Sequence, residues 1–240
     1  MSHKPTVFSP PGTPLSDRTV GELVAERPSR SRVFQAFRMD FCCQGAKTLA
    51  QACEGKGLEL ATVAAALEAE LAGPGEPGRN PADLPPAELA DYIESRHHGF
   101  LRSELPRLQA MALRVAHVHG GHTPSLVEVR DVFLGMQAEL LMHLQKEEQI
   151  LFPAIRALAA GQPTPLQLDC PIAVMLREHN DAGEALERLR TLTEGFTPPA
   201  GACNTYRALF AGLADLEQDL HRHIHLENAV LFPAAQALAS

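Results

Sequence analysis

The stretch LMHLQKEEQILFPA, residues 141–154, decides how the rest of the chain is interpreted. Its His143 and Glu147 stand four residues apart, a spacing that places an imidazole and a carboxylate on one face of an α-helix. The pattern returns eighty residues later, where His223 and Glu227 are followed by the same LFPA. A single His-x-x-x-Glu pair is usually a solvated ion pair. Two copies in matched apolar contexts instead indicate a shared chemical role.

The composition is that of a globular protein and excludes several classes of function. The chain has 240 residues, of which 45% are hydrophobic, and few runs of β-branched residues, so we expect an all-α fold. A formal net charge of -8 without a basic run argues against nucleic acid as a partner. No apolar run approaches the roughly 20 residues of a membrane span, and the N-terminus lacks a secretion signal. The cysteines number five, an odd count, and are scattered apart from the adjacent pair Cys42 and Cys43, which favours the reducing cytoplasm over a secreted disulfide framework.

Glycine and proline are concentrated in GPGEPGRNPADLPP, residues 73–86, a composition that predicts a linker. It separates a small helical domain, residues 14–72, from a larger domain, residues 87–240. In the small domain, Thr19 and Glu22 fit a capping box at the start of a helix.

Four long helices are predicted in the larger domain, at about 87–118, at 124–161 with Thr123 as the cap, at 171–194, and from about 199 almost to the end. Each carries apolar residues at three-four spacing, which predicts a four-helix bundle. The two His-Glu pairs lie in these apolar stripes rather than on the outer face. The stripes run Val129, Val132, Met136, Leu140, His143, Glu147, Ile150, Ala154 in the second helix, and Leu209, Leu213, Leu216, Leu220, His223, Glu227, Val230, Ala234 in the fourth.

The first and third helices each add one histidine to the same pattern. His98 precedes Leu101, Leu105 and Leu108 at helical spacing, and His179 precedes Ala182, Leu186 and Leu189. A buried His-Glu pair costs several kcal/mol unless something compensates, and a cation is one such compensation. Six nitrogen and oxygen donors from four helices suit a site for two metal ions. The predicted ligands are His98, His143, Glu147, His179, His223 and Glu227.

The alternatives to metal binding are an ordinary ion pair for each His-Glu motif and a core histidine for the two single histidines. His97 is the rival to its neighbour His98, and the apolar stripe favours His98. His119 lies 21 residues beyond His98, about 30 Å along a straight helix, and cannot share the site unless the helix breaks. His221 and His225 flank His223 and are expected to be exposed.

Carboxylates that accept the free ring N–H of a ligand histidine are a further expectation. Glu139 and Asp219 each precede a predicted ligand histidine by four residues and are the candidates, with an exposed helical acid as the alternative. Glu178, next to His179, is a weaker candidate. Pro153 and Pro233 either bend their helices over the site or mark plain helix ends.

Cys42 and Cys43 are the second chemical feature of the sequence. Adjacent thiols near a helix N-terminus tend to be reactive and can bind iron or be oxidised. The alternative is two small core residues. Cys53, Cys170 and Cys203 are most simply explained as core residues.

The motifs together resemble a known family, the iron–sulfur cluster repair di-iron proteins, also called the repair-of-iron-centres family. DFCCQG, residues 40–45, is similar to that family's Cys-Cys domain, with Gln44 where members usually carry Gly. The stretches that begin at His143 and at His223 resemble its hemerythrin-like bundle. The resemblance covers residues 15–240.

The resemblance implies that the four histidines are terminal ligands of two non-haem iron ions, with Glu147 and Glu227 as bridges and an oxo bridge as an option. It implies repair of iron–sulfur clusters damaged by nitric oxide or peroxide, through iron donation, with Cys42 and Cys43 as candidates for redox or iron relay. The partners would then be damaged iron–sulfur proteins and small ligands such as nitric oxide or oxygen.

Spacing alone indicates only a two-metal bundle, and iron over other metals rests on the resemblance. A hemerythrin-like sensor of oxygen or nitric oxide and a di-iron nitric oxide reductase remain open alternatives, so enzyme activity is undecided. Monomer and homodimer are both compatible with the sequence.

Overall fold

The computed structural model describes residues 9–10, 12–71 and 79–239. In these residues the regular structure is helical, and the only extended pairing is an isolated bridge between Thr19 and Thr48. The all-α prediction is therefore confirmed. None of the helices in these ranges is long and apolar enough to cross a membrane.

Four short helices form the N-terminal part: α1 (Val20–Glu26), α2 (Arg30–Ala36), α3 (Leu49–Lys56) and α4 (Leu60–Leu71). Thr19 caps α1, since its hydroxyl accepts the backbone N–H of Glu22 at 3.2 Å. The predicted reciprocal bond from Glu22 is replaced, because that carboxylate accepts from Ser9 and Arg18.

The remaining helices are α5 (Pro86–Ile93), α6 (Gly99–His119), α7 (Ser125–Lys146), α8 (Phe152–Ala159), α9 (Asp169–Leu192), α10 (Asn204–His225) and α11 (Phe232–Leu238). Three π-helical segments join consecutive pairs of them: π1 (Glu94–His98), π2 (Glu147–Leu151) and π3 (Leu226–Leu231). Two predicted helix starts were wrong. Pro124 rather than Thr123 precedes α7, without a side-chain cap, and α10 begins only at Asn204.

The chain divides into two compact units. One comprises Ile93–Pro153 and Ala173–Leu220, and its core is a four-helix bundle of α6, α7, α9 and α10. Each helix contributes leucines at three-four spacing to this core, including Leu105, Leu140, Leu186 and Leu213. The predicted bundle is thus confirmed, and it holds α7 and α9 where their histidines meet.

The other unit comprises Met1–Tyr92, Ala154–Ile172 and His221–Ser240. Its core is formed by apolar side chains of α1 to α4, by Met39, Phe41 and Cys42 between α2 and α3, and by Ile224 from the end of α10. The unit therefore combines the N-terminal helices with the C-terminal end of the chain. The domain division expected from the sequence remains a prediction.

The first part of the predicted linker, residues 73–78, lies outside the described residues. Its described end contains a short 3-10 turn, Pro81–Asp83, which Asn80 caps through its side-chain oxygen. The amide of Asn80 also donates to the backbone oxygen of Ala25, at 2.7 Å.

Candidate metal centre

Four of the predicted ligands come together in the bundle unit. Oε2 of Glu147 lies 3.3 Å from Nε2 of His143 and 3.5 Å from Nε2 of His98. Nε2 of His179 lies 3.1 Å from Nε2 of His143. All four side chains are buried, and those of His98 and Glu147 have no solvent exposure. A carboxylate and three imidazoles thus meet inside the protein.

These distances fit the edges of a metal coordination shell. Two nitrogens bound about 2.1 Å from one metal ion stand about 3.0–3.4 Å apart, depending on the geometry. The pair His143 and His179 falls within that range. Two histidines, His98 and His143, lie near the same oxygen of Glu147. The donor set of imidazole nitrogen and carboxylate oxygen suits iron, manganese or zinc, and a cation would offset the cost of burying the carboxylate.

Carboxylates hold the opposite nitrogen of two of these rings. Nδ1 of His143 lies 2.9 Å from Oε2 of Glu178, and Nδ1 of His98 lies 2.8 Å from Oε1 of Glu148. A carboxylate at Nδ1 keeps the proton there and leaves the lone pair on Nε2, which is the tautomer a metal ligand needs. The rings are therefore prepared to bind a cation through Nε2.

A cation one helical turn beyond each histidine keeps the carboxylate that this histidine contacts ionised. Lys146 pairs with Glu178, and Arg102 pairs with Glu148. Burial raises the pKa of each glutamate, but the hydrogen bonds from the cation and from the histidine outweigh it and leave the pKa below its ordinary value.

The two main candidates from the sequence do not hold these rings, whereas the weaker candidate, Glu178, holds that of His143. Glu139 is exposed on α7, and Glu178 takes the Nδ1 of His143 instead. Asp219 is buried but pairs with His97, 3.0 Å from its Nδ1. The intervals of 35 and 50 residues between the partners carry no local signal, so helix periodicity could not identify them.

The C-terminal copy of the motif lies in the other compact unit. Nε2 of His223 is 3.1 Å from Oε1 of Glu227, and both side chains are buried. The structure therefore reproduces in this copy the close His-Glu pair of His143 and Glu147.

Three of the predicted ligands occupy π-helical segments. Glu147 begins π2, Glu227 lies in π3, and His98 ends π1. A π turn holds an extra residue and rotates the following side chains, and such turns are frequent at functional sites. Pro153 and Pro233 follow in the first turn of α8 and of α11, where a missing N–H costs least.

The π turns also change which residues face inward. Ile150, placed in the inward stripe by α-helical periodicity, is 51% exposed, whereas Leu151 is 2% exposed. In the second copy Leu231 is fully buried and Val230 only partly. The predicted stripe is wrong at these positions because the extra residue shifts the register by one.

His225 was expected to be exposed but is buried, with its ring edge against Phe41 at a centroid distance of 5.7 Å. His221 contacts the same ring at 5.9 Å. Burial lowers the pKa of His225 to about 4, so this imidazole is neutral at physiological pH.

Cys42 and Cys43 lie between α2 and α3, and α3 begins only at Leu49, so the pair does not sit at a helix N-terminus. Cys42 is buried and Cys43 half-buried. The hydrogen bond with Cys43, burial and the nearby Asp40 carboxylate raise the pKa of Cys42 well above its ordinary value. Cys170 and Cys203 are exposed, contrary to the expectation of core residues.

The N-terminal part and the larger C-terminal part of the chain each match a known protein family. Residues 89–235 match the family described as hemerythrin HHE cation binding domain. Residues 16–71 match a family described as a domain of unknown function, DUF542. The iron–sulfur cluster repair protein YtfE of Edwardsiella ictaluri is 41% identical over 219 residues, which are 91% of this chain and 96% of that protein.

The chain belongs to the iron–sulfur cluster repair family. The YtfE protein of Citrobacter koseri is likewise 41% identical, over 92% of this chain and 97% of its own length. That of Pectobacterium atrosepticum is 39% identical over 91% of this chain and 96% of its own length. As a member of the repair family, the chain carries its candidate ligands within the cation-binding domain, and the Cys pair within the N-terminal one.

Proposed function

We propose that this protein repairs damaged iron–sulfur clusters and that a centre of two iron ions in the bundle supplies the chemistry. The observation that carries the proposal is the buried set of Glu147 with His98, His143 and His179, two of whose rings are fixed by carboxylates at Nδ1. The repair role is supported by the family, whose named relatives align over almost their whole length.

The proposed ligands of the two irons are the six residues of the duplicated motif: His98, His143, Glu147, His179, His223 and Glu227. Since the two halves repeat each other, His98 corresponds to His179 and His143 to His223. The contact of His143 with His179 supports their sharing one metal ion. The repeat then assigns His98 and His223 to the other.

The two glutamates are proposed as bridges between the metal ions. Oε2 of Glu147 stands near a histidine proposed for each metal, His98 and His143. Glu227 is the equivalent of Glu147 in the second half of the repeat and is proposed as the second bridge. Its contact with His223 agrees with that role. Bridging carboxylates from facing helices are the usual arrangement in dinuclear bundle sites.

The chain's own residues do three things in this proposal. His98 and His143 present Nε2 as the ligand atom, Glu148 and Glu178 hold the ring proton at Nδ1, and the apolar core excludes bulk water. Such a nitrogen and oxygen set would hold redox-active iron less tightly than the thiolates of an iron–sulfur cluster, so the iron could leave for a damaged cluster. Damaged iron–sulfur proteins are the proposed partners, and the cytoplasm is the proposed location.

The test is reactivation of an iron–sulfur enzyme that nitric oxide or peroxide has inactivated. The iron-loaded wild type is expected to restore activity, and His143→Ala and His223→Ala are expected to lose both iron and repair. His119→Ala is the matched control, since it removes a bundle histidine outside the proposed ligand set. Repair at the wild-type rate by iron-free variants would refute iron donation. Reversible nitric oxide binding without repair would favour the sensor.

A further inference from the structure

A second set of metal-binding side chains lies between α2 and α3, in the unit that does not contain the bundle core. Asp40, Cys42 and Cys43 each offer one donor atom, and these atoms lie within 4.8 Å of one another. Sγ of Cys42 is 3.7 Å from Sγ of Cys43 and 3.3 Å from Oδ1 of Asp40. The geometry can therefore be compared with that of a thiolate metal site.

The sulfur separation matches a tetrahedral edge. With metal–sulfur bonds of about 2.3 Å, two thiolates on one tetrahedral ion stand about 3.8 Å apart, and a disulfide would bring them to about 2.0 Å. The observed 3.7 Å is too long for a disulfide and is compatible with two thiolates on one metal ion. A thiolate and a carboxylate oxygen on the same ion stand about 3.6 Å apart, near the 3.3 Å found for Cys42 and Asp40.

Hydrogen bonds of the local backbone hold the three side chains in this arrangement. Oδ1 of Asp40 accepts the backbone N–H groups of Cys42 at 3.0 Å and Cys43 at 2.8 Å, which fixes the turn. Phe41, between them, is buried against Phe34 and His225. Gly45 closes the turn, because a Cβ there would stand 2.7 Å from the backbone oxygen of Phe41.

Access to this set is one-sided. Cys42 is 5% exposed, whereas Asp40 and Cys43 are both half-buried. Two thiolates and a carboxylate would carry three negative charges, so the site with one divalent cation bound would keep a net charge of -1.

Three protein donors leave a fourth tetrahedral position for water or an incoming ligand, as in metal sites that exchange a ligand.

We propose that Asp40, Cys42 and Cys43 form a mononuclear site for one divalent transition-metal ion that accepts thiolates, ferrous iron or zinc, with its fourth position open. On binding, each thiol releases its proton to solvent and the two thiolates ligate the ion, without any change of oxidation state. The site is additional to the two metal ions proposed for the bundle, and it does not depend on the repair function.

The proposed site is joined directly to the segment that carries Glu227. Nδ2 of Asn228, in π3, donates to the backbone oxygen of Cys42 at 3.0 Å. One face of α10 and π3 contacts Phe41 and Cys42. It carries His221, His225 and Asn228. A metal ion bound at this site would therefore influence the position of Asn228, which is next to the proposed bundle ligand Glu227.

Cobalt(II) added to the reduced, iron-loaded full-length protein is the test, because cobalt–thiolate bonds give a charge-transfer band that nitrogen and oxygen ligands do not. The wild type is expected to develop this band with an end point of one equivalent. Cys42→Ser with Cys43→Ser is expected to abolish it, and Asp40→Asn to weaken binding at least tenfold while its Oδ1 still accepts the turn N–H groups. Cys170→Ser and Cys203→Ser, at exposed thiols, are the controls and should leave the band unchanged.

No thiolate band in the wild type, or a band that survives the double substitution, would overturn the proposal. Circular dichroism and the bundle iron content show whether each variant is folded. Since iron content depends on His143 and its partners rather than on the Cys pair, loss of one site is distinguishable from loss of the other.

Discussion

Oε2 of Glu178 on α9 lies 2.9 Å from Nδ1 of His143 on α7, so a carboxylate from one bundle helix orients a candidate metal ligand on another. Glu178→Ala should weaken iron binding about 10- to 100-fold, because the ring of His143 loses the group that fixes its tautomer. Competition with an iron chelator measures this. Glu139→Ala is the matched control, an exposed glutamate on the helix of His143. Equal weakening in both variants would contradict the assignment.

Adjacent histidines on π1 are expected to behave differently. His98→Ala should remove iron, because Nε2 of His98 faces Glu147. His97→Ala should keep the iron but lower the free energy of unfolding by about 1–3 kcal/mol, because it leaves the buried Asp219 carboxylate without its partner. Metal analysis and denaturant unfolding separate the two effects. Loss of iron in His97→Ala alone would reverse the assignment.

The register of π2 can be tested with a pair of neighbouring aliphatic residues. Leu151→Ala should destabilise the protein by about 2–5 kcal/mol, because it opens a cavity in a buried position. Ile150→Ala should stay within about 0.5 kcal/mol, because half of that side chain is exposed. Urea unfolding curves give both values. The opposite order would restore the uninterrupted α-helical register.

Stability near the N-terminus should depend on pH through Glu22. Burial raises the pKa of this glutamate, but hydrogen bonds from Ser9 and Arg18 lower it by more, so the net pKa in the folded protein lies below 4.5. Its contribution to stability is therefore complete above pH 4.5 and declines as the pH falls through the folded value. Thermal unfolding of wild type and Glu22→Gln should differ at neutral pH and converge in acid. A constant difference would exclude this titration.

Residues 87–240 are expected to fold and hold metal without the N-terminal helices, as the linker composition predicts. The structure adds that this fragment should be less stable, because Ile224, 1% exposed in the core with α1 to α4, becomes uncovered. A lowered melting temperature with retained iron is the expected result. An insoluble or metal-free fragment under reducing conditions would count against the boundary.

Particular residues show which features of the fold and of the candidate site could be predicted from the sequence. The repeat of His143 and Glu147 at His223 and Glu227 could be found without coordinates, because ligand spacing on a helix is a local property. The four-helix bundle followed from the same periodicity. The π turns could not be found this way, since one extra residue moves Ile150 out of the core without changing composition.

The sequence by itself determined the helical bundle, the candidate ligands and the separate Cys pair, because apolar spacing and motif duplication are local properties of the sequence. Only the tertiary structure decided what touches those residues. Glu178 and Glu148 rather than Glu139 and Asp219 hold the ligand rings, and Asn228 joins the C-terminal helix to Cys42. Such partners come from helices far apart in sequence, and only packing of the apolar faces brings their side chains within hydrogen-bond distance.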